Sequence, residues 1–262
     1  MEATQYVQKL DGIAKIMQPG IFALAVLLFI VEVLLLSRRK VQLNVKGGVV
    51  SLTSGVFVFG LEALADLLFY IAICYWLYQH RIFELGFGWW VWLLCFLLYD
   101  LMFYFSHRLQ HRVRLLWCFH SVHHTSTEMR LTAAVRGSMF DFIYNPPFFV
   151  WMCVLGIHPL MFIVVRTVSR VWGILTHIHE SFVGHLPAMN KIFITPDVHR
   201  VHHGKNDHYI DRNYAEILSL WDRLLQPIRN ITRPLFMESL NLSMPIVSGQ
   251  YNLAPGKSCI LT

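Results

Sequence analysis

A chain of 262 residues is long enough for one domain with a small appendage. Apolar residues make up 55% and charged residues 15%, where a soluble domain carries roughly 25% charge, and mean hydropathy is +0.48. This excludes a disordered chain and an ordinary soluble enzyme, and it indicates an integral membrane protein. The net charge of +6 is read as membrane topology and attraction to anionic lipid, with no nucleic-acid partner expected.

The first long apolar run covers 21–36, with Glu32 its only charge, and stops at Arg38-Arg39-Lys40. Met17 to Gly20 extend it towards the roughly 20 residues a crossing needs. No basic segment precedes it and no small-residue cleavage motif follows, so it reads as an uncleaved helix. The second run, 49–78, holds Glu62 and Asp66 four apart on one helical face. That face is expected inside the bundle or near an interface, the functional alternative being a polar wall of a lipid cavity. The third run, 89–106, leads directly into a pair of histidines. The fourth region, 139–176, is broken at Pro146-Pro147 and at Gly156-Ile157-His158-Pro159, which predicts two helices joined as a hairpin. The expected fold is therefore an all-α membrane protein with about four transmembrane helices, the last region a hairpin, and a helical cap.

Arg and Lys set the expected orientation. The loop after the first run holds Arg38, Arg39, Lys40 and Lys46, the next loop only Arg81, and the stretch after the third run Arg108, Arg112, Arg114, Arg130 and Arg136. The positive-inside rule puts the first and third of these on the cytoplasmic side, so the hairpin must cross an even number of times. No internal repeat is seen, and 1–262 reads as a single membrane domain. The tail after Leu225, with Pro227, Pro234, Pro245 and Pro255, is expected to wrap the surface. The five cysteines form no C-x-x-C pair and no framework spacing, so neither a disulfide nor a thiolate metal site is expected.

Eight of the 14 histidines fall in three clusters: His107 with His111, His120 with His123 and His124, and His199 with His202 and His203. On a helix, positions i, i+3 and i+4 share a face, so each cluster presents its imidazoles in one direction. Imidazole suits iron, zinc, copper and nickel. Eight such ligands are too many for one ion and suit two. One H-x-x-H-H could be an accident of a polar loop; three histidine clusters, expected on one membrane face, are better explained as a metal site. The zinc-protease motifs H-E-x-x-H and H-x-x-E-H are absent. A ninth ligand is expected at His179, with His177 the competing choice. His185 and His208 read as polar surface, and His80 and His158 as structural residues at the far interface.

The stretch Asp100…Tyr104-Phe-Ser-His107-Arg-Leu-Gln-His111, then Trp117-Cys-Phe-His120-Ser-Val-His123-His124, then Thr195-Pro-Asp-Val-His199-Arg-Val-His202-His203-Gly, resembles the fatty acid hydroxylase/sterol desaturase superfamily of membrane di-iron oxygenases. The likeness continues through Asp211-Arg-Asn213-Tyr214 to Trp221-Asp222-Arg223 and covers 99–225. Within the superfamily it looks most like the alkylglycerol monooxygenase branch.

The resemblance implies a catalytic region over 99–225 that uses O2 and reducing equivalents to hydroxylate a fatty acyl, sterol or ether lipid. Desaturation, ether cleavage and a non-catalytic metal-binding protein are the alternatives. It implies two iron ions on neutral imidazoles, zinc being the substitute such a site also accepts. Electrons are expected from a separate cytochrome b5, ferredoxin-type protein or pterin. The membrane is expected to be endoplasmic reticulum or bacterial inner membrane, with the metals facing the cytoplasm. Glu128, Asp141, Glu180 and Asp197 are not expected as ligands. Asp100 is the best candidate to orient a ligating imidazole, since it shares the helical stripe of His107 and His111; Asp197 and Asp211 follow. The segment from Asp211 to Arg223 is expected to pack as a cap over the metals. Arg136, Tyr144 and Asn145 are candidates for contact with a lipid headgroup.

Overall fold

A computed structural model describes residues 3–225 and 228–232; the tail expected to wrap the surface lies almost wholly outside them. Among the described residues the regular structure is helical, with one isolated bridge between Phe193 and Leu218. Helix α1 runs Ala3–Arg38 and α2 Val45–Ala65, capped by Asn44, whose side chain accepts from the Gly47 amide. A π-helical turn, Asp66–Tyr70, joins α2 to α3, Ile71–Gln79. Helix α4 is Trp89–Arg112 and α5 is Arg114–His124.

Among the described residues, three stretches are long and apolar enough to cross a membrane: Gly20–Arg38, Val45–Gln79 and Trp89–Arg112. Their outward side chains are apolar, among them Phe22, Leu27, Val56, Phe57 and Leu67, a surface suited to acyl chains rather than water. Buried apolar residues gather where α4 meets the later part of the chain, with Val91, Cys95, Met152, Ile157 and Met161 closed from solvent.

The fourth expected region differs from two equal helices. After the short α6, Leu131–Ala134, and α7, Asp141–Tyr144, its outgoing arm is two 3-10 turns, Pro146–Phe148 and Val150–Cys153. Two successive prolines remove the amides a continuous helix would need there. Only the returning arm is a full helix, α8, Pro159–Leu175, whose 17 residues extend about 25 Å. The turn between the arms sits beside the loop joining α3 to α4: the Ile82 amide donates to the Val154 carbonyl at 2.7 Å. Gly156 makes that turn at φ +104, and a Cβ there would lie 2.1 Å from the Phe83 carbonyl oxygen. His158 caps α8 among Tyr75, Tyr78 and Phe87 at this end. The hairpin thus begins and ends beside the histidines, at the opposite end of the bundle.

Two further helices complete the described fold, α9 at Pro196–His202 and α10 at Leu220–Leu225. Glu32, the lone acid of the first apolar run, is 4% exposed and works as a tether. Its two oxygens accept the amides of Leu131 at 2.9 Å and His179 at 3.2 Å, so α1 holds both segments that flank the histidine clusters. Cys74, Cys95 and Cys153 are free.

Candidate metal centre

Each cluster is delivered by a helix end. The last turns of α4 carry His107 and His111. The chain reverses at Val113, which is extended at φ −93 and ψ 117, and α5 brings back His120, His123 and His124. Helix α9 starts with Pro196 in its first turn, where the missing amide costs nothing. It presents His199 and His202, with His203 at its cap. His177 follows the end of α8 by two residues and is buried.

These nine side chains form two groups. His107, His111, His120, His124 and His202 make one, and His123, His177, His199 and His203 the other; within each, the ligand atoms lie within 4.8 Å of one another. Nitrogens about 2.1 Å from a common ion stand about 3 to 4 Å apart, so this is the spacing of a coordination shell. Every cluster contributes to its neighbours' group: the second and third each supply ligands to both.

The hydrogen-bond pattern tests whether the set suits cations. A carbonyl can only accept, so Nδ1 must carry the proton wherever it meets one. His107 Nδ1 donates to the Tyr214 carbonyl at 2.8 Å, His123 Nδ1 to Arg136 at 3.0 Å, His177 Nδ1 to Gly173 at 2.7 Å and His202 Nδ1 to Arg212 at 2.9 Å. The neutral rings then aim bare Nε2 lone pairs inward. His123 Nε2 and His177 Nε2 face each other at 3.3 Å with no proton left to share, and Nε2 of His202 and of His203 are buried without a hydrogen bond. Opposed lone pairs in a dry site cost free energy; a shared cation removes the conflict, so the residues fit a pair of metal ions. Burial, then neighbouring imidazoles, holds His120, His124, His199 and His203 well below the ordinary histidine pKa. Burial takes His123 down to about 4 and His202 to about 3. The rings are therefore neutral at physiological pH, the form that binds metal.

His179 is not among them. Glu32 holds its backbone amide, and its ring turns outward to Ser181 Oγ at 2.9 Å. His177, the competing choice, takes the place expected for it. Of the three carboxylates expected to orient ligating imidazoles, Asp211 alone lies near a clustered ring, 3.6 Å from His111 Nδ1 and 3.7 Å from Arg112. Asp197 instead ties the first turn of α9 to the segment before it, accepting from Thr195, Asn190 and the Leu186 amide and pairing with His185. Asp100 accepts from the amides of Ile217 and Leu218 and from Trp221 Nε1, at 2.9 to 3.1 Å.

Asp100 therefore acts on the strap 213–223 rather than on a ring. Asp222, near the far end of the same strap, folds it back on itself, taking the amides of Tyr214 at 2.8 Å and Ala215 at 3.0 Å. Asn213, at φ 56, donates to the Val198 carbonyl. So clamped, the Tyr214 carbonyl is a fixed acceptor for His107. Arg136 likewise contributes its carbonyl to His123. Asn145 accepts from Gln110 and Tyr144 donates to Asp141.

Below the rings lies a cavity of about 730 Å³. His107, His123, His177 and His199 are at one end, and Cys74, Tyr75 and Pro159 are among its far lining residues. Its α8 wall runs from Pro159 to Gly173, about 21 Å. Phe59, Phe103, Phe149 and Phe162 keep much of the wall apolar. Glu62 and Asp66 line it as the sequence suggested, each paired with an arginine of α8: Arg170 to Glu62 at 2.6 Å, and Arg166 to Asp66 through two bonds at 3.1 and 2.6 Å. Arg166 and Arg170 carried a signal in the sequence, their matching four-residue spacing. Glu216 had none. It lines the cavity and bonds Ser169, and burial pushes its carboxyl up to about 8.

The sequence pattern of the fatty acid hydroxylase family matches residues 92–226. The chain belongs to the fatty acid hydroxylase family. The matched segment begins in α4 and contains all nine clustered histidines. The alkylglycerol monooxygenase of Xenopus tropicalis is 33% identical over 207 residues, 76% of this chain and 44% of that protein. Its Caenorhabditis elegans counterpart is 30% identical over 73% of this chain and 38% of its own length. The ornithine lipid hydroxylase of Rhizobium tropici is 31% identical over 50% of this chain and 39% of its own length. The chain thus spans under half the length of these family relatives. No solved structure matches it.

Proposed function

We propose that this fatty acid hydroxylase family member is a membrane-bound di-iron oxygenase that uses O2 and an external reductant to hydroxylate a lipid. The observation that carries the reading is the meeting of two groups of neutral, carbonyl-oriented imidazoles at one end of a long, largely apolar cavity. Iron bound there would supply the reduction of O2 and the oxidation of a C–H bond, chemistry that side chains cannot perform. One oxygen atom enters the lipid and the other leaves as water, with electrons from a separate carrier such as a cytochrome b5, a ferredoxin or a pterin.

The chain's own residues have three tasks in this reading. The carbonyls of Tyr214, Arg136, Gly173 and Arg212 fix ring tautomer and direction, which raises ligand basicity. The phenylalanine-rich wall keeps water from the reacting carbon and receives an extended chain. The Ser106, Gln110 and Asn145 network closes the polar side of the cavity beside His107. The basic loops after α1 and α4 support an orientation with this end in the cytoplasm. The names of the alkylglycerol monooxygenase relatives favour a glycerol ether as the lipid class, in which case the hydroxylated carbon would lie beside the ether oxygen.

The test is metal analysis joined to lipid mass spectrometry. Iron near two ions per chain, O2 uptake and a lipid gaining one oxygen are expected. Loss of two hydrogens would make the protein a desaturase, and bound iron with no turnover under a competent reductant would make it a metal-binding protein without this activity.

A further inference from the structure

Most of the polar groups lining the cavity are already engaged. Glu62 and Asp66 are bound to Arg170 and Arg166, Tyr144 to Asp141, and Gln110 to Asn145. Glu216 stands apart by its mounting. The strap residues on either side of it are immobilised, with Tyr214 and Ala215 held by Asp222, and Ile217 and Leu218 by Asp100. Between these clamps the side chain of Glu216 projects into the cavity. One carboxyl oxygen accepts from Ser169 on α8, and the other, Oε1, lies over Gly173. The approach is so close that a Cβ at Gly173 would stand 2.7 Å from Oε1. Gly173 is one helical turn, about 6 Å, before His177, whose Nδ1 it receives. A rigidly held carboxyl on the cavity wall therefore sits about one turn from the second histidine group.

We propose that Glu216 is a specificity-determining residue: its carboxyl hydrogen-bonds a hydroxyl group on the bound lipid and so sets which carbon lies beneath the histidine rings. The inference rests on the lipid-oxygenase reading above and adds the chemistry of the substrate's polar end. A hydroxyl fits because it can both donate to and accept from a carboxyl that burial keeps largely protonated. A carboxylate or phosphate fits less well beside Glu216. It would face that carboxyl, and of the three arginines on the cavity wall Arg166 and Arg170 are already paired with Asp66 and Glu62, leaving Arg136. An aimed hydrogen bond in a dry site discriminates against a partner that lacks the group, since the carboxyl oxygen is then left unsatisfied.

The experiment uses the full chain loaded with iron and two probes, a long-chain primary alcohol and its methyl ether. Binding is measured in detergent micelles, and product positions by mass spectrometry. The wild type is expected to bind the alcohol about tenfold more tightly and to oxidise a narrow set of carbons a few bonds from the hydroxyl. Glu216→Leu, close in volume, should keep its iron, bind both probes alike and scatter the products. Glu216→Gln should retain most of the preference, because an amide still bonds a hydroxyl. Gly173→Ala should displace the carboxyl and move the product positions while leaving the preference in place. A Leu variant that keeps the tenfold preference would overturn the proposal. So would joint loss of iron and of both probes in every Glu216 variant, which would make the residue structural. A wild type that prefers the alcohol but oxidises neither probe sinks the oxygenase reading alone, and one that oxidises both equally at the same carbons sinks this inference alone.

Discussion

Replacing His177 with Ala strikes the four-membered histidine group alone. The ring stands 3.3 Å from His123 and 3.2 Å from His199, nitrogen to nitrogen, and its group has three other members. The five-membered group is left intact, so iron should fall from about two ions per chain to about one. In metal-free protein the change removes one hydrogen bond, to the Gly173 carbonyl, worth about 1 kcal/mol. It also removes the lone-pair conflict with His123, so the net effect without metal is expected to stay below about 1 kcal/mol. With free iron a thousandfold above Kd, losing one bound ion withdraws about 4 kcal/mol of stabilisation. The Tm difference between wild type and variant should therefore appear with iron and nearly vanish in chelator. His179→Ala is the control: Glu32 binds its backbone amide, which alanine keeps, so iron content and Tm should hold. Retention of both ions by His177→Ala, or loss of one by His179→Ala, would refute the assignment.

Three other substitutions probe the supports. Asp222→Asn can satisfy only one of the two strap amides, so it should destabilise the fold by about 1 to 3 kcal/mol and weaken iron binding about 10- to 100-fold through His107, read by denaturation and by chelator competition. Arg166→Met strands Asp66 in the cavity wall and should cost about 3 kcal/mol or more; adding Asp66→Leu should recover most of it, and a double variant no better than the single would show that the pair contributes little. Gly156→Ala must place a methyl 2.1 Å from the Phe83 carbonyl at φ +104, so folded yield or Tm should drop sharply, while Gly60→Ala in α2, with open space at its Cβ, should not.

Local pattern carried much of this molecule. Hydropathy marked the crossing helices because a bilayer demands long apolar runs, and that demand is met within each segment. The three histidine clusters were legible because i, i+3 and i+4 share a face on any helix. Pro146-Pro147 and Gly156 marked the hairpin, although only packing decided that its first arm would be broken turns and its second a helix. The likeness to the fatty acid hydroxylase family rested on the same short motifs.

What neighbours what was decided elsewhere. His177 and His179 look equivalent along the chain, and the choice between them falls to Glu32, 147 residues before His179, which pins one amide and turns that ring outward. Asp100 shares a stripe with His107, yet it serves a strap more than 100 residues later, because buried amides there had no other acceptor. Glu216 carries no signal in the sequence at all; Asp100, Asp222 and the bare Cα of Gly173 aim it. Amino-acid order determines which groups a helix presents, since that depends on bonds a few residues long. Which groups meet depends on the packing of the whole chain.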